Sequence, residues 1–428
     1  MRRRVVITGL GLATCLGLSV EENWKRVLNG ESGIRKLDCP SSDSSPIQAV
    51  GAIRPEDMQT IEKEFREEAA AEGEAKTLLA LWAAGQAFDD AALPGDYGDR
   101  DRYGVALASG IGINRLEDIA RWTGKDHTFD MVRFGRELSE VHRESLMRNP
   151  SHRSSALIGK KFRLHGMNAT ITAACASATQ AIGIGYRAIA RGEADVMAVG
   201  GADAMTNPVG LIFFVLLNAA STSHEEPGTV SRPFDRKRSG LVMAEGAAVA
   251  VLEEESHALR RKARIYAEVA GYGASLDAYQ LTRPHPEGRG AVQAMRASLR
   301  DAALGTDEID YINAHGTSTK LNDVVETAAV KEVFGDRAYR IPISSSKSMI
   351  GHTLAASGAP EFVFTVLSVQ RDAIHPTINL SQPDPRCDLD YVPGVKRMQT
   401  VRAAISNSFG FGGQNASVVV KKCREEQR

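Results

Sequence analysis

The feature that most constrains this chain is that one order of strand-like and helix-like segments occurs in it twice. In the first half, apolar runs at Val5 to Gly9, Tyr103 to Ala108, Asn168 to Ala173, Asp195 to Val199 and Ala247 to Leu252 are bounded by glycine. Helical stretches such as Ala176 to Arg191 stand between them. In the second half, Ala263-Arg-Ile-Tyr-Ala-Glu-Val-Ala-Gly-Tyr-Gly repeats the opening strand and its Gly-x-Gly. Glu308 to Ala314, Ile341 to Ser345, Ala403 to Ser408 and Ala416 to Lys421 then answer the remaining strands in order. Continuous apolar runs, rather than alternating ones, predict strands covered by helices on both faces. The period is far too long for a solenoid. The expectation is two related α/β halves around one core, residues 1–262 and 263–428, the first carrying insertions over about 54–76 and 115–161. The first insertion is charge-dense and Ala-rich, which predicts an exposed helix. The second is long and basic (Arg133, Arg136, Arg143, Arg148, His152, Arg153) and reads as a cap over one face.

Composition removes other classes. A length of 428 residues suits two domains or one large duplicated unit. The 52 Lys+Arg against 53 Asp+Glu leave a net charge of −1, no footprint for nucleic acid. Five scattered cysteines with no Cys-x-x-Cys spacing suggest neither a disulfide framework nor a zinc site. The longest apolar run, Val209 to Leu217, is about half the ~20 residues that span a bilayer. A cytoplasmic globular enzyme that binds neither nucleic acid nor membrane is therefore expected. The basic, apolar N-terminus is broken by Thr8, Gly9, Gly11 and Thr14, so it reads as a strand rather than a leader. Gly9-Leu-Gly11 is a weak dinucleotide signal, because Thr14 occupies the place of the third glycine.

Four segments can carry chemistry. Cys175 lies between Ile171-Thr-Ala-Ala and Ala176-Ser-Ala-Thr-Gln-Ala-Ile-Gly, a strand-to-helix junction. A thiol there meets free N–H groups and the positive end of a helix dipole, which favour thiolate. The alternative is a small buried hydrophobe. His315, in Asn313-Ala-His-Gly-Thr-Ser-Thr, and His352, in Lys347-Ser-Met-Ile-Gly-His, also stand at strand ends. Either alone reads as a capping histidine. Three reactive groups at equivalent strand ends of two halves are harder to explain that way. A Cys–His pair suits acyl transfer, and a second imidazole near Lys347 suits a developing oxyanion. Ser408-Phe-Gly-Phe-Gly-Gly is a Gly-rich turn in which Phe409 and Phe411 either gate a pocket or decorate a plain loop. Thr317 and Thr319 offer hydroxyls at the mouth, or helix caps.

These blocks resemble the β-ketoacyl-[acyl-carrier-protein] synthases, type II condensing enzymes of the thiolase-fold superfamily, synthase II being the nearest type. The signature blocks are Ala174-Cys175-Ala-Ser, Asn313-Ala-His-Gly-Thr-Ser-Thr, Lys347-Ser-Met-Ile-Gly-His352 and Asn407-Ser-Phe-Gly-Phe-Gly-Gly. Supporting blocks are Gly192-Glu-Ala-Asp-Val-Met-Ala-Val-Gly-Gly, Ser231-Arg-Pro-Phe-Asp and Pro376-Thr-Ile-Asn, so the resemblance spans nearly the whole chain. It implies a thiolase-like, five-layered αβαβα fold of two duplicated halves. It also implies decarboxylative condensation of an acyl chain on Cys175 with malonyl-[acyl carrier protein]. His315 and His352 would promote decarboxylation, and Lys347 and Glu361 would support them. Backbone N–H groups of Cys175 and Phe411 would form the oxyanion hole, and Thr317 and Thr319 would hold the pantetheine. No metal and no resident cofactor are implied, since phosphopantetheine arrives on the carrier. The implied partners are an acidic acyl carrier protein, which the insertion's arginines could dock unless they line a solvated helix face, and a second copy of the chain. The rival reading is a type II polyketide ketosynthase paired with a chain-length-factor subunit. A chain-length factor itself usually lacks the cysteine. A thiolase would need a second cysteine as base, which neither Cys387 nor Cys423 fits by position. The chain departs from the family at Gln414, where threonine is usual, at Leu211-Ile-Phe-Phe-Val-Leu-Leu, where small residues are usual, and after Ser221-Thr222, where an arginine is common.

Overall fold

Each half of the chain contributes five strands, in the same order, to one ten-stranded sheet. In the first, β1 (Val5–Thr14) is followed by α1 (Ala75–Ala91), β2 (Tyr103–Ser109), α2 (Arg153–Phe162), β3 (Asn168–Ile171), α3 (Ser177–Ala190), β4 (Val196–Ala204), α4 (Pro208–Leu216) and β5 (Glu245–Glu254). In the second come β6 (Ala267–Leu276), α5 (Arg289–Ala302), β7 (Tyr311–Asn313), α6 (Asn322–Phe334), β8 (Ile343–Ser344), α7 (Gly358–Arg371), β9 (Ala403–Gly410) and β10 (Gln414–Lys421). The computed structural model describes residues 2–38, 45–72, 74–93, 98–112, 120–141 and 150–423.

The strands lie in the order β3-β2-β4-β5-β1-β6-β10-β9-β7-β8. Pairing repeats between halves. β2 runs parallel to β3 and β4, with β5 and β1 antiparallel beyond; β7 runs parallel to β8 and β9, with β10 and β6 antiparallel beyond. The halves join where Val5–Ile7 of β1 meets Ala267–Val269 of β6, antiparallel. Helices α3 and α7 pack together between the two half-sheets, α1 covers the outer face of the first, and α5 covers that of the second. These are the five layers. Among the described residues no helix is long and apolar enough to cross a membrane.

The opening strand runs on to Thr14 instead of ending at Gly9, because α1 lies directly on it. A Cβ on Gly9 would stand 2.0 Å from the Ala87 carbonyl oxygen, and one on Gly11 1.9 Å from that of Ala83. The second half repeats the device: a Cβ on Gly271 would stand 2.4 Å from the Ser298 oxygen, and one on Gly273 2.2 Å from that of Ala294. The Gly-x-Gly pairs are helix-packing sites within strands, which removes the dinucleotide reading. β3 ends at Ile171, two residues before the expected Ala173, because Ala174 turns with φ of +48°.

The first insertion forms two helices, Pro55–Glu64 and Arg66–Glu72, anchored by buried Ile61 and Phe65. In the second, Phe134 of helix Met131–Arg136 packs edge-on against Trp122, with 5.1 Å between ring centroids. There Arg133 pairs with Glu137 at 3.0 Å and Arg136 is exposed, whereas Arg143 and Arg148 lie outside the described residues. The apolar run at 209–217 becomes α4. Leu211 and Phe214 pack with Met205, Leu241, Met243 and Leu354, whereas Ile212, Phe213 and Leu216 face outward.

Matched substitutions test the glycine packing. Gly11→Ala and Gly273→Ala should each destabilise by about 1–3 kcal/mol through overpacking, read as a lower urea midpoint at unchanged slope. Gly85→Ala, in mid-α1 with nothing within 4 Å of the new methyl, should stabilise by about 0.5–1 kcal/mol. A neutral Gly11→Ala would contradict direct helix-on-strand packing.

Candidate active site

Cys175 stands at the corner between β3 and α3. Ala174 before it adopts φ of +48°, a conformation that costs a non-glycine residue about 1–3 kcal/mol and persists only when its surroundings enforce it. Ser177 does so: its hydroxyl donates to the Ala174 carbonyl at 2.6 Å and accepts the Ala173 N–H at 2.7 Å. The end of β9 presses on this corner. A Cβ on Gly410 would come within 2.9 Å of the Cys175 nitrogen, and the Phe411 N–H stands where it favours the thiolate of Cys175. Burial pushes the thiol up to about 11, against the opposing pull of Lys347 and the Phe411 N–H. Desolvation therefore sets the balance, and the resting group is the thiol rather than the thiolate that a helix end would favour.

His315 follows β7, and His352 follows the short helix Lys347–Ile350 after β8. Lys347, 1% exposed, donates to the His315 carbonyl at 2.6 Å, approaches His315 Nδ1 at 3.3 Å and forms an ion pair with Glu361 of α7. The ammonium can only donate, so His315 Nδ1 accepts and Nε2 carries the proton. His352 reaches the same tautomer by another route. Its Nδ1 accepts the Leu354 N–H at 3.1 Å, and its buried Nε2 has no hydrogen-bond partner among the described residues. The two rings lie 5.4 Å apart, nearly perpendicular. Desolvation, joined by the Lys347 charge, holds both imidazoles well below their ordinary pKa, so both are neutral.

One ligand-type atom from each of Cys175, His315 and His352 lies within 4.8 Å of the others. A metal bound at Nε2 would need Nδ1 to carry the proton and donate outward. Here both Nδ1 atoms accept instead, so the set fits two N–H donors beside a thiol better than it fits metal ligation. A negatively charged oxygen between the rings would receive both.

The other expected residues surround this triangle. The Phe409 ring is 6.0 Å from His315, and half-buried Phe411 packs against the Leu211 and Phe214 cluster. Thr317 is buried and Thr319 half-buried, with hydroxyls 2.8 Å apart. Several residues that hold the site carried no sequence signal. Glu326 of α6 accepts the N–H groups of His315 and Gly316, both at 2.8 Å, and burial lifts its carboxyl to about 7. Asp323 accepts the Thr317 N–H at 3.1 Å. Arg238 donates to the carbonyls of Thr319 and Lys320 at 2.8 and 3.0 Å. Asp277 receives the Asn415 amide at 2.9 Å and donates its own N–H to Gly413 at 2.9 Å, bracing the Gly-rich turn. Lone acids and an arginine in ordinary helices and loops look like surface groups until the fold buries them.

Comparison with known proteins gives this geometry its family. The profile "Beta-ketoacyl synthase, N-terminal domain" matches residues 2–258 and "Beta-ketoacyl synthase, C-terminal domain" matches 266–381. The chain belongs to the β-ketoacyl synthase family. It is 39% identical over 421 residues to 3-oxoacyl-[acyl-carrier-protein] synthase 2 of Coxiella burnetii, covering 98% of this chain and 99% of that one. Among solved structures, a type II polyketide ketosynthase in complex with its acyl carrier protein superimposes with a TM-score of 0.88 at 32% identity, over 99% of this chain and 100% of that one. The ishigamide ketosynthase/chain length factor gives 0.84 at 31%, again over 99% and 100%. The synthase is thus a condensing enzyme of the acyltransferase class with the thiolase fold.

The raised thiol pKa predicts the pH dependence of modification. Alkylation of Cys175 in the free synthase by iodoacetamide, followed by intact mass, should rise about tenfold per pH unit from pH 7 to 10. The direction follows from the shift, because a pKa raised to about 11 keeps the thiolate fraction climbing throughout that range. A plateau below pH 9 would show an already ionised nucleophile.

Proposed function

We propose that this synthase joins an acyl chain held on Cys175 to the two-carbon unit of malonyl-[acyl carrier protein], releasing carbon dioxide and forming β-ketoacyl-[acyl carrier protein] in fatty-acid or related biosynthesis. The observation that carries the reading is the pair of neutral imidazoles, each with a ring nitrogen within 4.8 Å of the Cys175 sulfur and each with Nδ1 accepting a hydrogen bond, which leaves Nε2–H to donate. The Cys175 sulfur attacks the acyl thioester of the carrier, and the N–H groups of Cys175 and Phe411 hold the tetrahedral oxyanion until the carrier thiol leaves. Malonyl thioester then binds, its pantetheine arm along the hydroxyls of Thr317 and Thr319. Loss of carbon dioxide leaves an enolate whose oxygen accepts from His315 and His352. A protonated imidazole is not needed, and a neutral donor does not trap the enolate as a stable salt. The enolate carbon attacks the Cys175 thioester, a C–C bond forms, the C–S bond breaks, and the released Cys175 thiolate takes a proton from water to restore the thiol. Lys347 and Glu361 fix His315, and Phe409 and Phe411 gate the chamber. The reaction calls for no metal and no resident cofactor, since the thioester supplies the activation.

On this reading the partners are an acyl carrier protein and a second copy of the chain, and the work is cytoplasmic. Edge strand β3 and the outward Ile212, Phe213 and Leu216 of α4 support the pairing. A second reading, a ketosynthase subunit paired with a chain-length factor, is favoured by the same apolar helix where small residues are usual and by the likeness to two polyketide-type ketosynthases. Copurification with a homologous chain of different mass would decide for it.

Cys175→Ala should abolish condensation. Cys175→Gln should retain malonyl decarboxylation, which needs only the histidines. His352→Ala should lower decarboxylation about 10²–10³-fold, the usual loss for one oxyanion donor. Carrier-bound malonyl and acyl substrates with product mass detection check all three, and condensation by Cys175→Ala would end the assignment. Light scattering at micromolar protein should give twice the chain mass, and a monomer would refute the pairing.

A further inference from the structure

The block Val199-Gly-Gly-Ala-Asp203 closes β4 beside the site, yet no step above uses its carboxylate. Asp203 is 2% exposed. Its Oδ1 accepts the Ala204 N–H at 2.9 Å, and its Oδ2 accepts the Ala355 N–H at 3.0 Å. Ala355 lies in the turn Leu354–Ala356, which Thr353 alone separates from His352. Leu354 holds φ of +49° there without being glycine, and its N–H is the one that donates to His352 Nδ1. The neighbourhood is shaped around this contact. A Cβ on Gly201 would stand 3.1 Å from the Ala356 Cα, so the turn lies on β4, and a Cβ on Gly110 would come within 2.4 Å of Asp203 Oδ1. Buried Lys76 donates to the Gly110 carbonyl at 3.3 Å and pairs with Glu74 at 3.1 Å.

We infer that Asp203 is a positioning residue for His352: by holding the Ala355 N–H it fixes the left-handed Leu354 turn, which keeps the His352 proton on Nε2, facing Cys175 and His315. Asparagine in place of Asp203 has one amide oxygen for two N–H groups; where its NH2 opposes the Ala355 N–H, that N–H is buried and unpaired, and the strained turn relaxes. The Leu354 N–H then leaves Nδ1. Once Nδ1 can take the proton, Nε2 offers a lone pair to the enolate oxygen, and donation becomes repulsion. The charges facing Asp203 are Lys76 and Glu74 of the α1 region, and the carboxylate itself hinders ionisation of Cys175. Removing its charge should therefore ease thiolate formation while impairing His352, a split that general loosening of the site would not produce.

The inference rests on the role proposed for His352, and the test separates the two. In the full-length protein carrying Asp203→Asn, three quantities are read: the ¹⁵N shifts of the His352 ring, assigned by their loss in His352→Gln; the kcat and KM for decarboxylation of malonyl-pantetheine; and the rate of Cys175 alkylation at pH 8. The unaltered protein should show the Nε2–H tautomer alone. Asp203→Asn should show a tautomer mixture, a kcat lower by about 10–100-fold with KM within about threefold, and alkylation no slower than before. Asp203→Glu, which keeps a carboxylate, should retain more kcat than Asp203→Asn, and it carries the comparison if the asparagine variant does not fold. An unchanged tautomer, equal losses in decarboxylation and alkylation, or a glutamate variant as impaired as the asparagine one would each overturn the role of Asp203. No decarboxylation by the unaltered protein would instead overturn the proposed reaction, leaving the tautomer measurement to judge the positioning.

Discussion

Everything in this molecule depends on how closely two central helices approach. A Cβ on Gly358, the first residue of α7, would stand 2.1 Å from the Thr179 hydroxyl in the first turn of α3 and 2.8 Å from the Ser408 hydroxyl at the end of β9. Thr179 and Ser408 in turn hydrogen-bond at 2.8 Å. The start of α3 carries Cys175, the approach to α7 carries His352, and β9 leads into Phe409 and Phe411. The crossing therefore fixes nucleophile, imidazole and gate with respect to one another. The half-sheets and outer helices bury the apolar surface that keeps the crossing in place, and the glycines at positions 9, 11, 271 and 273 let that burial be close. Packing this dense transmits small shifts rather than absorbing them.

The second layer of organisation is electrostatic. Lys347, Glu361, Glu326, Asp323, Arg238 and Asp203 are all at most 3% exposed in a chain whose net charge is −1. Each has assigned partners: Lys347 with Glu361, Arg238 with Asp384 and Asp323, Glu326 with two backbone N–H groups. Removing one member of such a pair strands a buried charge, at about 3–5 kcal/mol. These pairs do little for net stability compared with apolar packing. Their consequence is chemical: desolvation, joined by a fixed ammonium, keeps both imidazoles neutral, and the ammonium turns the His315 donor toward the chamber. Burial also holds Cys175 as a thiol until a thioester arrives.

The strands were legible because a strand covered on both faces must be continuously apolar, and the repeat was legible because two such series share one order. Cys175, His315 and His352 were legible because they are unusual residues at strand ends, among glycines and hydroxyls. The Gly-x-Gly of β1 gave only a weak signal, because a glycine that admits a phosphate and one that admits a helix look alike in one dimension. The continuation to Thr14 needed α1, some sixty residues later, to be seen lying on the strand.

What the sequence determined by itself was therefore the inventory: two α/β halves, one thiol, two imidazoles, a Gly-rich aromatic turn and a family resemblance. What only the tertiary structure decided was protonation and support. The tautomer of His352 depends on the N–H of Leu354, which depends on a turn held by a strand some 150 residues earlier. The state of Cys175 depends on burial, which raises the thiol against the opposing pull of Lys347. Solvation and hydrogen-bond direction belong to neighbours in space, and residue type and spacing along the chain do not encode them.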